Sequence, residues 1–162
     1  MHSMRRRDFV AQGATLGTTL ALPAGWARAQ SQSVPPDPLA PNPAEFRRAM
    51  SEFLGGATPV EEGLHLDVPA LADNPSAVPV KARVTLPITD SHHCEEIVLL
   101  AEANPSPLVC RFKFTPTQGT AEAAVRVRLS QTQAIHALAR MSDGRVLVAR
   151  QDVTVAGSGC GM

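Results

Sequence analysis

Cys160 stands in the stretch Ala156-Gly157-Ser158-Gly159-Cys160-Gly161-Met162, with no apolar neighbour except Met162. A structural cysteine packs as a small hydrophobe, and this one has little in its sequence to pack against. Glycine at 157, 159 and 161 raises the entropy cost of ordering the backbone, so the pattern predicts a flexible arm and an exposed sulfur. In water such a thiol has a pKa of about 8.5, which leaves a few per cent as thiolate near neutral pH. No lysine, arginine or histidine lies in the stretch to lower that value, so activation falls to a partner. Covalent attachment is the chemistry on offer, with an intermolecular disulfide as the competing use of the same sulfur. From Val155 to Cys160 the extended chain reaches roughly 17 Å, enough to enter a recessed pocket on another protein.

The other reactive side chains read differently. If Asn104-Pro105-Ser106-Pro107 turns a hairpin, facing residues have numbers summing to about 211. Cys110 then faces Ala101 and Cys94 faces Thr117, too far apart for a bridge whose Cα atoms must lie within about 7 Å. Cys110 shares parity with Phe112 and Phe114, which favours a buried, unpaired thiol, and a Cys94–Cys110 disulfide stands as the alternative. His92-His93-Cys94 has the composition of a metal site. Consecutive strand residues point to opposite faces, however, so the three cannot meet one ion without a tight loop. Solvated loop histidines are the expectation. No histidine and carboxylate stand at a spacing that marks a nucleophile with its base. The chain is therefore expected to hold no metal, no cofactor and no catalytic residue.

These residues need a scaffold, and the sequence offers one. Asn42-Pro43-Ala44-Glu45 supplies an N-cap, a proline at the first helical position and a glutamate at the third. Phe46, Met50, Phe53 and Leu54 then share one helical face, and Gly55-Gly56 ends the helix. After it the hydrophobic period changes to two. Val78, Val80, Ala82, Val84 and Leu86 alternate with polar residues or proline, and Ala123, Val125, Val127 and Leu129 repeat the pattern. Strands are also expected over 64–68, 96–101, 108–114, 132–140 and 146–155, with Ser142-Asp143-Gly144 as a hairpin turn. About seven strands joined by short turns predict an all-β, immunoglobulin-like sandwich carrying one short N-terminal helix.

The N-terminus decides the compartment. Met4-Arg5-Arg6-Arg7-Asp8-Phe9-Val10 leads positive charge into an uncharged segment from Ala11 to Leu22, and Ala27-Arg28-Ala29 precedes Gln30. That order is an export signal with an A-x-A cleavage site, too short in its apolar part to remain as a membrane span. Arg6-Arg7-x-Phe9-Val10 fits the twin-arginine pattern for folded cargo, with ordinary secretion as the alternative. Residues 1–29 are thus expected to be removed, leaving a periplasmic protein. Residues 30–43 form a Pro-rich linker, 44–155 the sandwich and 156–162 the arm. Over the full 162 residues, 15 Lys and Arg balance 15 Asp and Glu, so no basic footprint points to nucleic acid or an anionic membrane. Three cysteines are an odd number for an oxidising compartment, and one thiol must pair between chains, react or be buried.

Several stretches together resemble a known family. Leu66-Asp67-Val68-Pro69, Leu71-Ala72-Asp73-Asn74 and Val78-Pro79-Val80 match its first block, and Asn104-Pro105-Ser106-Pro107-Leu108 its turn. Arg126-Val127-Arg128-Leu129 and Ala137-Leu138-Ala139 through Asp143-Gly144 match its later strands. Ser158-Gly159-Cys160-Gly161-Met162 corresponds to a terminal Gly-Gly-Cys-Gly-Gly arm, with Ser158 and Met162 in place of glycines. The family is SoxY, the sulfur-carrying subunit of the SoxYZ complex in bacterial thiosulfate oxidation. The resemblance implies that Cys160 is the covalent attachment site and that Gly157, Ser158, Gly159 and Gly161 make up its arm. It also implies a heterodimer with a SoxZ-like subunit. The haem enzyme SoxAX would load the thiol, SoxB would release sulfate and SoxCD, where present, would oxidise the remaining sulfane sulfur. Two other classes compete with this carrier role. Cys160 and Met162 offer two soft sulfurs, and His92 or His93 a nitrogen, a set that suits Cu(I) in a periplasmic copper module. A purely structural sandwich is the third.

Overall fold

The computed structural model describes residues 37–156. Helix α1 (Pro43–Leu54) forms where its caps are written: Asn42 Oδ1 accepts the Glu45 N–H at 3.1 Å. At the other end Gly55 turns left-handed, φ 57°, and its N–H donates to the Ser51 carbonyl. A residue with a Cβ adopts that φ only at a cost, which is why glycine stops the helix here. Phe46, Ala49, Met50, Phe53 and Leu54 make its apolar face, packed on Val98, Leu100, Leu138 and Val146. Burying Phe53 contributes roughly 1.5–3 kcal/mol. Arg140 reinforces the contact, donating from Nη2 to the Phe53 carbonyl at 2.6 Å with its guanidinium 4.7 Å from the Phe53 ring centre.

Nine strands follow among the described residues: β1 (Pro59–Val60), β2 (Leu64–Asp67), β3 (Leu71–Ala72), β4 (Val78–Val84), β5 (Cys94–Ala101), β6 (Leu108–Lys113), β7 (Glu122–Val127), β8 (Gln133–Met141) and β9 (Val146–Val155). One sheet runs β1-β9-β8-β5-β6, with β3 also on β9, and the other runs β2-β4-β7. The two pack face to face around one core. Val78, Val80, Ala82 and Val84 from β4 meet Ile97, Leu99, Ile135, Ala137 and Leu147 from the larger sheet. Strand β4 alternates strictly because only one of its faces is covered. Strands β5 and β8 carry almost continuous apolar residues, because α1 covers their outer face. No helix among the described residues is long and apolar enough to cross a membrane.

Seven strands stand where the sequence predicts them, with ends shifted by one or two residues. The two additional ones, β1 and β3, are two-residue parallel pairings at opposite ends of β9. Between them the chain steps out to the other sheet, where β2 pairs with β4, and then returns. This crossing closes one edge of the sandwich. Gly63 makes the step possible: its φ is 93°, and a Cβ there would sit 2.9 Å from Leu86 Cδ1.

Candidate functional site

Cys160 and the arm residues Gly157, Ser158, Gly159 and Gly161, with Met162, lie outside the described residues. What the structure does place is the point from which they depart. Strand β9 ends at Val155, its last residues bordered on one edge by β3. There Thr154 and Ala156 donate their N–H groups to the carbonyls of Ala70 and Ala72, at 2.8 and 3.1 Å. Leu71, between those two acceptors, is exposed.

Cys94 and Cys110 are both free. The hairpin register differs from the sequence expectation: Leu99 faces Cys110 and Leu100 faces Leu108, so pair numbers sum to 209 and 208. The turn opens earlier than Asn104, since the Ala101 N–H already closes it on the Pro107 carbonyl at 2.8 Å. A register irregularity at Leu99/Leu100 accounts for the remaining offset. Cys110 therefore faces Leu99 rather than Ala101, while Cys94, five residues back along β5, lies roughly 16 Å from that level. No bridge can span that gap. Cys94 is buried, its Sγ 3.5 Å from the Glu96 carbonyl, and burial pushes its pKa up to about 11. Cys110 is half-buried rather than buried, because β6 is the edge strand, and burial also pushes it up to about 11. Neither thiol is poised as a nucleophile.

The histidines are not simply solvated, as the sequence suggested. Arg145 Nη2 donates to His92 Nε2 at 2.6 Å. The Asp143 carboxylate, which accepts from Arg145 Nε at 2.7 Å, lies 3.2 Å from the same ring nitrogen. The other ring nitrogen, Nδ1, lies 3.3 Å from the Pro87 carbonyl. The Arg145 backbone N–H, and then its guanidinium, hold the Asp143 carboxyl below its ordinary range. The His93 N–H donates to Ser142 Oγ at 3.0 Å and its carbonyl accepts the Ser142 N–H at 2.8 Å, while its Nδ1 is buried without a partner. Among the described residues no three His, Cys, Asp or Glu side chains converge as metal ligands would.

Sequence reading passed over one cluster, Asn104 with Gln133. Gln133 is the buried polar residue of the described core and hydrogen-bonds Asn104 Oδ1 from Nε2 at 2.9 Å. Its signal was available: a glutamine opening an otherwise apolar strand must find partners.

The family model for "Sulfur oxidation protein SoxY" matches residues 50–160, from within α1 through Cys160. The chain belongs to the SoxY family. A search of curated proteins finds no match. Among solved structures, the sulfur carrier protein SoxY from Chlorobium limicola f thiosulfatophilum is 22% identical, covers 71% of this chain and 99% of its own, and superposes with a TM-score of 0.57. At that identity the likeness concerns the fold, and it makes the two-sheet body a SoxY-type, immunoglobulin-like sandwich. A putative superoxide reductase from Thermotoga maritima is 20% identical over 57% of this chain and 85% of that one, with a TM-score of 0.49. The superoxide reductase (neelaredoxin) from Ignicoccus hospitalis is 18% identical over 68% of this chain and 92% of that one, with a TM-score of 0.48.

Proposed function

We propose that this SoxY-family chain is a periplasmic, non-catalytic carrier that holds sulfur-oxidation intermediates covalently on Cys160 and presents them to partner enzymes. The observation that carries the proposal is the extent of the family match, which runs through Cys160 itself. The two body thiols support it by elimination, since burial disfavours the thiolate of both Cys94 and Cys110. Loading is an oxidation. The Cys160 thiol and thiosulfate together lose one proton and two electrons to the haem enzyme SoxAX, and an S–S bond forms between Sγ and the sulfane sulfur. Hydrolysis by SoxB then breaks the bond to the sulfonate group, using one water and leaving sulfate and a persulfide on Cys160. SoxCD, where present, oxidises that persulfide. A SoxZ-like subunit completes the carrier as a heterodimer.

Residues 1–29 act as a twin-arginine export signal, 30–43 as a linker, 44–155 as the sandwich and 156–162 as the carrier arm. Replacing Arg6 and Arg7 with lysine should trap precursor in the cytoplasm, and normal export of that variant would point to the other secretion route. The carrier role itself is tested by intact-protein and peptide mass spectrometry after exposure to thiosulfate and SoxAX. Adduct mass belongs on the Cys160 peptide alone, and Cys160→Ser should abolish thiosulfate-dependent turnover while leaving the fold intact. Adducts on Cys94 or Cys110, or full turnover in Cys160→Ser, would sink the carrier mechanism.

A further inference from the structure

Where the carrier segment leaves the sheet is set by side chains that its chemistry does not use. Strand β8 begins at Gln133, opposite Val153, so the Val155 N–H faces no strand backbone on that side. Thr132 fills the place, its Oγ1 accepting the Val155 N–H at 3.0 Å. On the other edge of β9 the Thr154 and Ala156 N–H groups go to the carbonyls of Ala70 and Ala72. Three successive amides are thus taken alternately by two edges, and Ala156 is the last of them.

Thr132 is an exposed loop residue, and its hydroxyl can hold this position only because the loop is itself fixed. Asn104 Oδ1 accepts the Ser130 N–H at 3.0 Å and Gln133 Nε2 at 2.9 Å, while Asn104 Nδ2 donates to the Arg128 carbonyl at 2.8 Å. Gln133 returns the tie, its Oε1 accepting the Ala103 N–H at 2.8 Å. These bonds join residues 128–133 to the β5–β6 turn on both flanks of Thr132. A part-buried amide network with its donors and acceptors matched admits one arrangement of the loop.

We propose that Thr132 is a positioning residue for the carrier arm: together with the Ala72 carbonyl it fixes Ala156 as the pivot from which Cys160 is delivered. The proposal rests on the carrier role of Cys160. Without the hydroxyl the Val155 N–H loses its partner, and the last residues of β9 are held only by the Ala70 and Ala72 carbonyls, so that end opens more often. Their backbone would then have to be ordered at every docking event, which weakens productive docking about fivefold or more.

The experiment uses the full chain with its SoxZ-like partner and compares wild type, Thr132→Val and Thr132→Ser. Amide hydrogen exchange is followed at Val155 and Ala156, and thiosulfate conjugation by SoxAX is measured with carrier concentration varied. Thr132→Val should exchange about tenfold faster at both amides and raise the KM for the carrier about fivefold. Its kcat should hold, because the pivot acts before the sulfur is seated. Thr132→Ser keeps the hydroxyl and should restore both values. Unchanged exchange, unchanged KM, or failure of serine to restore them overturns the pivot. Wild type that forms no adduct on Cys160 overturns the carrier role and this proposal with it, a result that does not involve Thr132 and is therefore distinguishable.

Discussion

Treating the native full chain with an excess of iodoacetamide at pH 8 should alkylate Cys160 at least tenfold faster than Cys94 or Cys110. The magnitude follows from the thiolate fraction set against thiolate basicity. A thiol of ordinary pKa, about 8.5, is roughly one quarter thiolate at pH 8, and Cys160 has no neighbouring charge in sequence to shift it. Burial pushes Cys94 and Cys110 up to about 11. Only ~0.1% of each is then ionised at pH 8, which lowers the reactive population ~200-fold, while the greater nucleophilicity of a more basic thiolate returns about tenfold. Cys94 has a second barrier, because the reagent cannot reach a side chain only 1% exposed without local opening. Peptide mass spectrometry at timed quenches reads the three rates separately. In 6 M urea the rates should converge, since the environment that raises two of the pKa values is gone. If Cys94 or Cys110 reacts within tenfold of Cys160 in the native protein, burial is not what reserves the sulfur chemistry for one residue, and the reasoning fails.

Gly63→Ala should destabilise the sandwich by about 1–3 kcal/mol, from the left-handed φ together with the contact on Leu86. A urea melt with an unchanged midpoint would show that the crossing from β1 to β2 tolerates a Cβ. Alkaline pH should also weaken the fold. The raised Cys94 and Cys110 values mean that the folded state holds protons the unfolded chain releases. Their contribution is fully present below an ordinary thiol pKa near 8.5 and is lost as pH climbs through about 11. For Cys94 it amounts to up to roughly 2–3 kcal/mol. Denaturation midpoints measured from pH 8 to 11 should fall more steeply in wild type than in Cys94→Ala, and parallel curves would contradict the assignment.

Local chemistry was enough to read much of this protein. The helix over 43–54 was legible because its caps and apolar face are encoded within a few residues of one another. Strand β4 was legible because one-sided burial writes itself as strict alternation. The hairpin turn at Ser142-Asp143-Gly144 was legible because Gly144 takes a positive φ of 86°, which glycine accommodates without strain. The glycine-flanked Cys160 and its family resemblance came from sequence as well.

Other features exist only once distant segments meet. Strands β1 and β3 are two residues each and carry no periodic signal, because what makes them strands is the free edge of β9 beside them. The β5–β6 register moved by two because the turn closes at Ala101 on Pro107, earlier than its proline-rich centre indicates. His92 looked like a solvated loop residue until the chain brought Arg145 and Asp143 to it from the β8–β9 turn. Thr132 carries no local signal for the same reason: its partner Val155 lies 23 residues away in sequence. Capping, alternation and turn chemistry act between near neighbours, so the sequence by itself determines them. Edge closure, register and the fastening of Ala156 depend on which backbone groups lack partners after the sheets have packed, and only the tertiary structure decides that.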